Sequence, residues 1–207
     1  MTRIIGGIVG GRRIKTPTGV GTRPTADRAR EALFSTLESE LGTLAGRTFV
    51  DVYAGSGAIG LEARSRGAST VTCVENDRVA AAMIRANASA LGLDGVHVVT
   101  AKAARWAAGR PDGAAFDVAF LDPPYSLASD GLAELLGLLG TNGWLAAGAS
   151  VVLERSSRDS EWLWPMGFEG VRSRKYGETM LWYGHRLEQA NEEQPCIKPC
   201  VPGRSTR

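Results

Sequence analysis

The most chemically pointed stretch of the chain is Asp122-Pro123-Pro124-Tyr125, which follows the apolar run Phe116-Asp117-Val118-Ala119-Phe120-Leu121. Two prolines remove two backbone donors and stiffen the turn. What remains there is acceptor: the Asp122 carboxylate and the Pro123 carbonyl. Tyr125 adds a flat face on which a nucleobase could stack, worth ~1–3 kcal/mol. An exocyclic amine on a nucleobase needs such a site, because its lone pair is delocalised into the ring and attacks a methyl group poorly. Two acceptors holding its N–H groups orient the nitrogen and favour positive charge developing on it. A stacked ring keeps nitrogen and methyl in line. That chemistry needs neither a metal nor a covalent nucleophile, and Asp122, Pro123 and Tyr125 are its candidate catalytic residues. A base inside a helix cannot reach such a turn, so its target must be unpaired or flipped out.

A second constellation lies upstream. Phe49-Val50-Asp51-Val52-Tyr53 runs into Ala54-Gly55-Ser56-Gly57-Ala58-Ile59-Gly60, a G-x-G-x-x-G pattern between an apolar run and a helical one. Glycines there permit a tight turn and close approach of a ligand, and the helix N-terminus directs N–H groups at it. Glu75, 20 residues after Gly55, ends the next apolar run and is placed to accept ribose hydroxyls. Both NAD and S-adenosylmethionine put an adenosine over such strand ends. Asp51 favours the latter: it would repel a pyrophosphate and attract an ammonium or sulfonium. Candidate cofactor contacts are Asp51, Tyr53, Gly55, Ser56, Gly57, Glu75, Asn76, Ala103 and Asp122.

The elements that must hold these residues can be read from periodicity. Unbroken apolar strands are predicted over 48–53, 70–75, 96–100, 116–121 and 150–154. Helices are predicted over 58–66, 77–91, 103–108 and 131–139, with a short one near 160–164. Such alternation indicates a parallel sheet covered on both faces. Residues 168–173 and 178–183 read as consecutive strands around a Lys175-Tyr176-Gly177 turn, an antiparallel pair ending the sheet. The expected fold is α/β, Rossmann-like, with a seven-stranded, mostly parallel sheet. Ahead of it, short apolar pieces among glycines suggest a small hairpin. Thr25 reads as the N-cap of a helix ending near Gly42, with Leu33, Phe34, Leu37 and Leu41 at helical spacing. The expected division is a basic arm over 1–25, one catalytic domain over 26–185, and an unstructured or non-native tail over 186–207.

Composition is that of an ordinary globular chain of 207 residues, 43% hydrophobic and 22% charged, which excludes disordered and fibrous classes. No apolar run approaches a membrane span, and Met1–Gly7 lacks a signal core, so a cytoplasmic monomer away from membranes is expected. Cys73, Cys196 and Cys200 make no disulfide framework, and with only His97 and His185 available no metal site is expected. The net charge of +2 hides an asymmetry. Residues 1–30 hold seven basic groups and one acid, +6, so the other 177 sum to −4. A basic arm on a mildly acidic body meets a polyanion with one surface. Arg12, Arg13, Lys15, Arg23 and Thr25 are the expected RNA contacts, on an arm that could order only on meeting RNA. The aromatic residues Trp162, Trp164, Tyr176, Trp182 and Tyr183 read as core packing sooner than as a stacking platform.

Together, Asp51-Val52-Tyr53-Ala54-Gly55-Ser56-Gly57, Glu75 and Asp122-Pro123-Pro124-Tyr125 resemble class I S-adenosylmethionine-dependent methyltransferases acting on exocyclic amines. Arg3-Ile4-Ile5-Gly6-Gly7, Arg23-Pro24-Thr25-Ala26-Asp27-Arg28, Arg30-Glu31-Ala32-Leu33-Phe34, Leu61–Ala68 and Tyr176-Gly177-Glu178-Thr179 narrow the resemblance to bacterial 16S rRNA guanine-N2 methyltransferases. It spans residues 3–184. It implies S-adenosylmethionine as cofactor and small-subunit rRNA as partner, with the guanine conventionally numbered 966 as target. It also places the Arg23-Pro24-Thr25 segment near the pocket. One departure is visible: Thr100-Ala101-Lys102-Ala103-Ala104 offers no acid or amide to read an adenine amine, which leaves backbone near Ala103 for that task. The rivals are a DNA adenine-N6 methyltransferase, which usually carries a target-recognition domain this chain lacks, and an assembly factor that binds the cofactor without turnover. A dehydrogenase is weaker, because nothing positions a hydride acceptor.

Overall fold

A computed structural model describes residues 2–16 and 24–188. Seven strands form one sheet: β3 (Thr48–Val52), β4 (Thr70–Glu75), β5 (Val96–Thr100), β6 (Phe116–Leu121), β7 (Leu145–Ser156), β8 (Phe168–Tyr176) and β9 (Thr179–Arg186). Their order is β5-β4-β3-β6-β7-β9-β8. The first five are mutually parallel, whereas β9 runs antiparallel to both β7 and β8. The last strand therefore inserts between β7 and the edge strand β8. A two-residue turn, Gly177-Glu178, joins β8 to β9, and Gly177 supplies its positive φ of 62°. Lys175 and Tyr176, expected on the turn, are the last residues of β8.

Helices α1 (Pro24–Leu41), α2 (Ala58–Ser65), α3 (Arg78–Leu91), α4 (Ala103–Ala107) and α5 (Ser129–Thr141) complete the domain. Alternation along each strand sends side chains to two cores. Phe49, Val118, Phe120 and Val152 pack with Leu33, Phe34 and Leu37 of α1, with Ala63 and with Ile84. Val50, Val52, Leu121 and Leu153 pack with Leu132, Leu135, Leu136 and Leu139 of α5. The edge strand β5 is only half-buried, unlike the fully covered central strands.

Three local expectations are corrected. No helix forms over 160–164; Trp162 is buried and Leu163 exposed in irregular chain, and Pro165 disfavours helical geometry at Trp164. Helix α1 begins at Pro24, so Thr25 lies in its first turn instead of capping it; proline's fixed φ suits the first helical position. Strand β7 starts at Leu145, five residues early, through a register shift opposite Phe116/Val118 where Gly148 takes φ 71°. The aromatic residues pack as expected: Trp162 and Tyr183 are buried, and Trp164 lies over Phe168.

The N-terminal hairpin consists of β1 (Thr2–Arg3) paired with β2 (Arg13–Ile14). Its arm is docked on the domain, which corrects the expectation that RNA is needed to order residues 2–16. Ile5 N and Gly6 N each donate to the Glu62 carboxylate at 2.7 Å, and Ile8 N donates to Ser65 O at 2.8 Å. Ile4 and Ile14 pack with Leu61, Leu91 and Leu93. Arg30, 7% exposed, bonds Arg3 O at 2.6 Å and Asp27 at 3.1 Å, and its Nε lies 3.6 Å from Glu62. The first 30 residues thus spend Arg30 internally. Residues 189–207, with Cys196 and Cys200, and residues 17–23 lie outside the described residues.

Candidate active site

The sheet order reverses at β3: β4 and β5 continue on one side, β6 and β7 on the other. In such sheets ligands occupy the crevice beyond the carboxyl ends of the strands at the reversal. Here that crevice is bounded by the Tyr53–Gly57 loop after β3 and the Asp122–Tyr125 turn after β6. The two are tied at their base, where Asp122 N donates to Val52 O at 3.3 Å.

The glycine loop is held open from behind. Glu75 Oε2 accepts from Gly55 N and Oε1 from Asp77 N, both at 2.7 Å. Asp77 in turn caps α3 by accepting from Ala80 N at 2.8 Å. Each Glu75 oxygen retains a second lone pair for a ligand hydroxyl. Nothing lies within 4 Å of a side chain built at Gly55, which marks open space, whereas one at Gly57 would meet Ile84 Cγ2 at 2.9 Å. Tyr53 has φ 69°, the left-handed region that a bulky residue adopts at a cost of about 1–3 kcal/mol. Its N–H and that of Ala54 both donate to Val74 O, at 3.0 and 3.1 Å, and so fix it there. Burial also pushes the Tyr53 phenol upward.

Three carboxylates lie toward the carboxyl ends of three neighbouring strands on one face of the sheet. Asp51 shares the face of Phe49, Asp122 that of Phe120, and Glu154 that of Val152, in a register that pairs Asp51 with Phe120 and Phe120 with Val152. Asp51 is 1% exposed, and its Oδ2 accepts from Gly60 N at 2.8 Å. Burial pushes its carboxyl up to about 7 against the pull of that bond, with the Glu75 charge adding to the rise. Asp122 follows β6 and is exposed toward the crevice, with protein packed behind it. Burial, then the charges of Glu154 and Asp51, push it well above the usual carboxylate range. Glu154 is raised by burial too, opposed by a bond from Thr179 Oγ1 to its Oε1 at 3.2 Å.

Three cavities meet at Asp122. One of about 230 Å³ runs from Asp51 past Tyr53, Gly55 and Ser56. One of about 730 Å³ is walled by Tyr53, Glu75, Asn76, Ala103 and Pro124. A third, of about 230 Å³, lies on the α1 side between Asp27, Arg30, Phe120, Glu154 and Leu181. An elongated ligand with a cationic end suits the first two, and a flat ring presented to Asp122 suits the third.

The profile of the family described as Conserved hypothetical protein 95 matches residues 2–185. The chain belongs to this family. It is 38% identical over 152 residues to the Ribosomal RNA small subunit methyltransferase D of Escherichia coli (strain K12), covering 73% of each chain. With the enzyme of that name from Haemophilus influenzae it shares 32% over 178 residues, 84% of this chain and 89% of the other. The solved structure of yhhF from Escherichia coli superposes with a TM-score of 0.79 at 32% identity, covering 90% of this chain and 98% of that one.

Within this family member, the crevice gathers Asp51, Tyr53, Gly55, Ser56, Glu75, Asn76, Ala103 and Asp122 on the cavity walls. Gly57 caps α2 and packs on Ile84. Pro123 is buried, and Tyr125, 84% exposed, lines none of the three cavities. Of the arm residues, Arg13 and Lys15 have exposed side chains. Arg12 is exposed but engaged: it donates to Ala90 O at 2.7 Å and Leu91 O at 3.2 Å, capping the end of α3. Arg23 lies outside the described residues.

Sequence reasoning missed Glu154, Glu62 and Asn87. Asn87, 4% exposed, exchanges bonds with the Lys15 backbone at 3.0 and 2.9 Å and donates to Ser56 O at 3.4 Å, joining the arm to the glycine loop. Its signal was there: an amide on the apolar stripe of α3, beside Ile84 and Leu91. Glu154 is readable as a further acid closing an apolar run, as Glu75 is, and Glu62 as an acid between Leu61 and Ala63.

Proposed function

We propose that this protein transfers a methyl group from S-adenosylmethionine to the N2 amine of a guanine in small-subunit rRNA, the same guanine that the sequence resemblance indicates. The observation that carries the reading is the position of Asp122, the carboxylate shared by the two cavities suited together to the cofactor and by the third cavity beside them. Relatives at 38% and 32% identity carry the name of small-subunit rRNA methyltransferases, which supports the same substrate.

The residues fit the cofactor. S-adenosylmethionine supplies an electrophilic methyl on a sulfonium and leaves as a neutral thioether. Asp51 offers negative charge at the end of the crevice beside Gly55, where there is room for an ammonium group. Glu75 and Asn76 border the larger cavity, with Glu75 placed for ribose hydroxyls and the backbone near Ala103 for the adenine edge. Asp122 and the Pro123 carbonyl hold the two N–H bonds of the target amine, so that its lone pair points along the line of transfer. Tyr125 stacks on the base once it is extruded from its helix. Arg12, Arg13, Lys15, Arg23 and Thr25 take the rRNA backbone.

Incubating the protein with methyl-labelled cofactor and, in turn, unmethylated small subunits, naked rRNA and DNA, followed by nucleoside analysis, tests this. N2-methylguanine in rRNA is expected; label in N6-methyladenine of DNA, or none in any acceptor, overturns it. Asp122→Ala should keep cofactor binding while turnover falls by about 10²-fold or more.

A further inference from the structure

Besides Asp122 and Asp27, which is paired with Arg30, the third cavity is lined by Glu154, an acid that the methyl transfer itself does not require. Asp122 and Glu154 follow Leu121 and Leu153, which are paired across parallel β6 and β7, so their backbones stand one strand spacing apart, about 4.8 Å. By strand alternation both share the face of Phe120 and Val152, and both line the cavity, with Phe120 and Leu181 as apolar walls. Thr179 Oγ1 engages Glu154 Oε1 and fixes the carboxylate's orientation. Two acceptors side by side call for a ligand edge with two adjacent donors. The Watson–Crick edge of guanine has that order, N1–H next to the N2 amine. Adenine presents an amine next to a bare N1 lone pair, which a neighbouring carboxylate repels.

On the reading given above, we propose that Glu154 is a specificity-determining residue that accepts the N1–H of the target guanine while Asp122 takes its N2 amine. Burial raises both carboxyls and the Glu154 charge adds to the rise at Asp122, so a ligand edge that presents two adjacent N–H donors offsets the charge of the two acids. The pocket thereby rejects adenine on the ring nitrogen beside the reacting amine, at a residue that does no bond-making.

The test pairs enzyme and base variants. Small-subunit rRNA assembled by splinted ligation would carry either guanine or 2-aminopurine at the methylated position; 2-aminopurine keeps the N2 amine but has an acceptor at N1. The wild-type protein should prefer guanine in kcat/KM by about 10²-fold or more. Glu154→Ala should lose about that factor on guanine and change less than about threefold on 2-aminopurine. Glu154→Gln keeps the side-chain volume and can offer an N–H to N1, so its preference should narrow to within about tenfold. Unchanged cofactor affinity by calorimetry checks that each variant is folded. Equal losses on both bases would reduce Glu154 to a structural tie to Thr179 and overturn the inference. So would a wild-type protein indifferent to the two bases, an outcome that needs no variant to fold. Methylation of DNA adenine with neither rRNA base accepted would instead remove the functional reading itself.

Discussion

Asp51→Asn should stabilise the free protein and weaken its cofactor site, and the pH dependence of the first effect can be worked from the structure. Asp51 is buried and raised to about 7 from an ordinary 3.8, about three units, each worth ~1.4 kcal/mol. Its native pKa exceeds its unfolded one, so between those values the native state binds more protons and stability falls as pH rises. The cost of ionising the buried carboxyl is about 2 kcal/mol at pH 5, grows through pH 7, and levels off near 4 kcal/mol by pH 8. Asparagine keeps an acceptor for Gly60 N and never ionises. The variant should therefore exceed the wild type by about 4 kcal/mol in urea unfolding at pH 8, about 8–16 °C in Tm for a chain of this size. The margin should shrink by roughly half at pH 5. In calorimetry at pH 8 the same variant should bind S-adenosylmethionine at least about tenfold more weakly, having lost the charge that meets the ligand's cationic end. A difference in unfolding free energy that stays flat from pH 5 to pH 8 would refute the raised pKa. A more stable variant with full cofactor affinity would remove Asp51 from the site.

Three further outcomes follow from the packing around the crevice. Gly60→Ala places a methyl 2.6 Å from Cys73 Sγ and 3.1 Å from Val71, so denaturant unfolding should show a loss of about 1–3 kcal/mol. Glu62→Gln leaves Arg30 and Arg66 facing a neutral amide in a buried site; it should destabilise by about 3–5 kcal/mol and speed hydrogen exchange at Ile5 and Gly6. Arg13→Ala and Lys15→Ala should each lower the slope of log affinity for rRNA against log salt by about 1, with cofactor binding unchanged.

How much of this was legible in the sequence depends on whether the determining contacts are local. Strands β4, β5 and β6 are legible to the residue, because short runs rich in β-branched and apolar residues stand between segments of helical period. The glycine loop and the Asp122 turn were legible for a related reason: strand, loop and helix follow one another in the chain, and the fold brings their ends to one edge. Other features are set by partners distant in sequence. Arg30 looked like one of seven surface cations, yet it is buried against Arg3 and Asp27, with Glu62 beside it. Arg12 reads as a phosphate contact, and the sequence gives no sign that its guanidinium also caps a helix end 78 residues on. Strand β7 was shortened in the reading because Ala146-Ala147-Gly148-Ala149 lacks the β-branched residues that mark strands, and pairing with β6 overrides that weakness.

The least legible feature is the one the chemistry most depends on. Asp51, Asp122 and Glu154 lie at three separate points of the chain, and only the strand order β3-β6-β7 and its register set them on one face. A fold selected for stability alone would not set three like charges on one face near the carboxyl ends of adjacent strands, since burial raises all three carboxyls and neighbouring charge adds to the rise at Asp51 and Asp122. Nor would it hold Tyr53 in a left-handed conformation at the end of its central strand. The surrounding residues absorb that conflict: Glu75 and Val74 pin the loop, Gly60 gives Asp51 its one donor, and Thr179 does the same for Glu154. A cationic ligand end and a ligand edge rich in N–H donors would bring what these acids are arranged to receive. Cofactor and base should therefore each stabilise the fold beyond their direct contacts, because each offsets part of the cost of ionising these buried carboxyls.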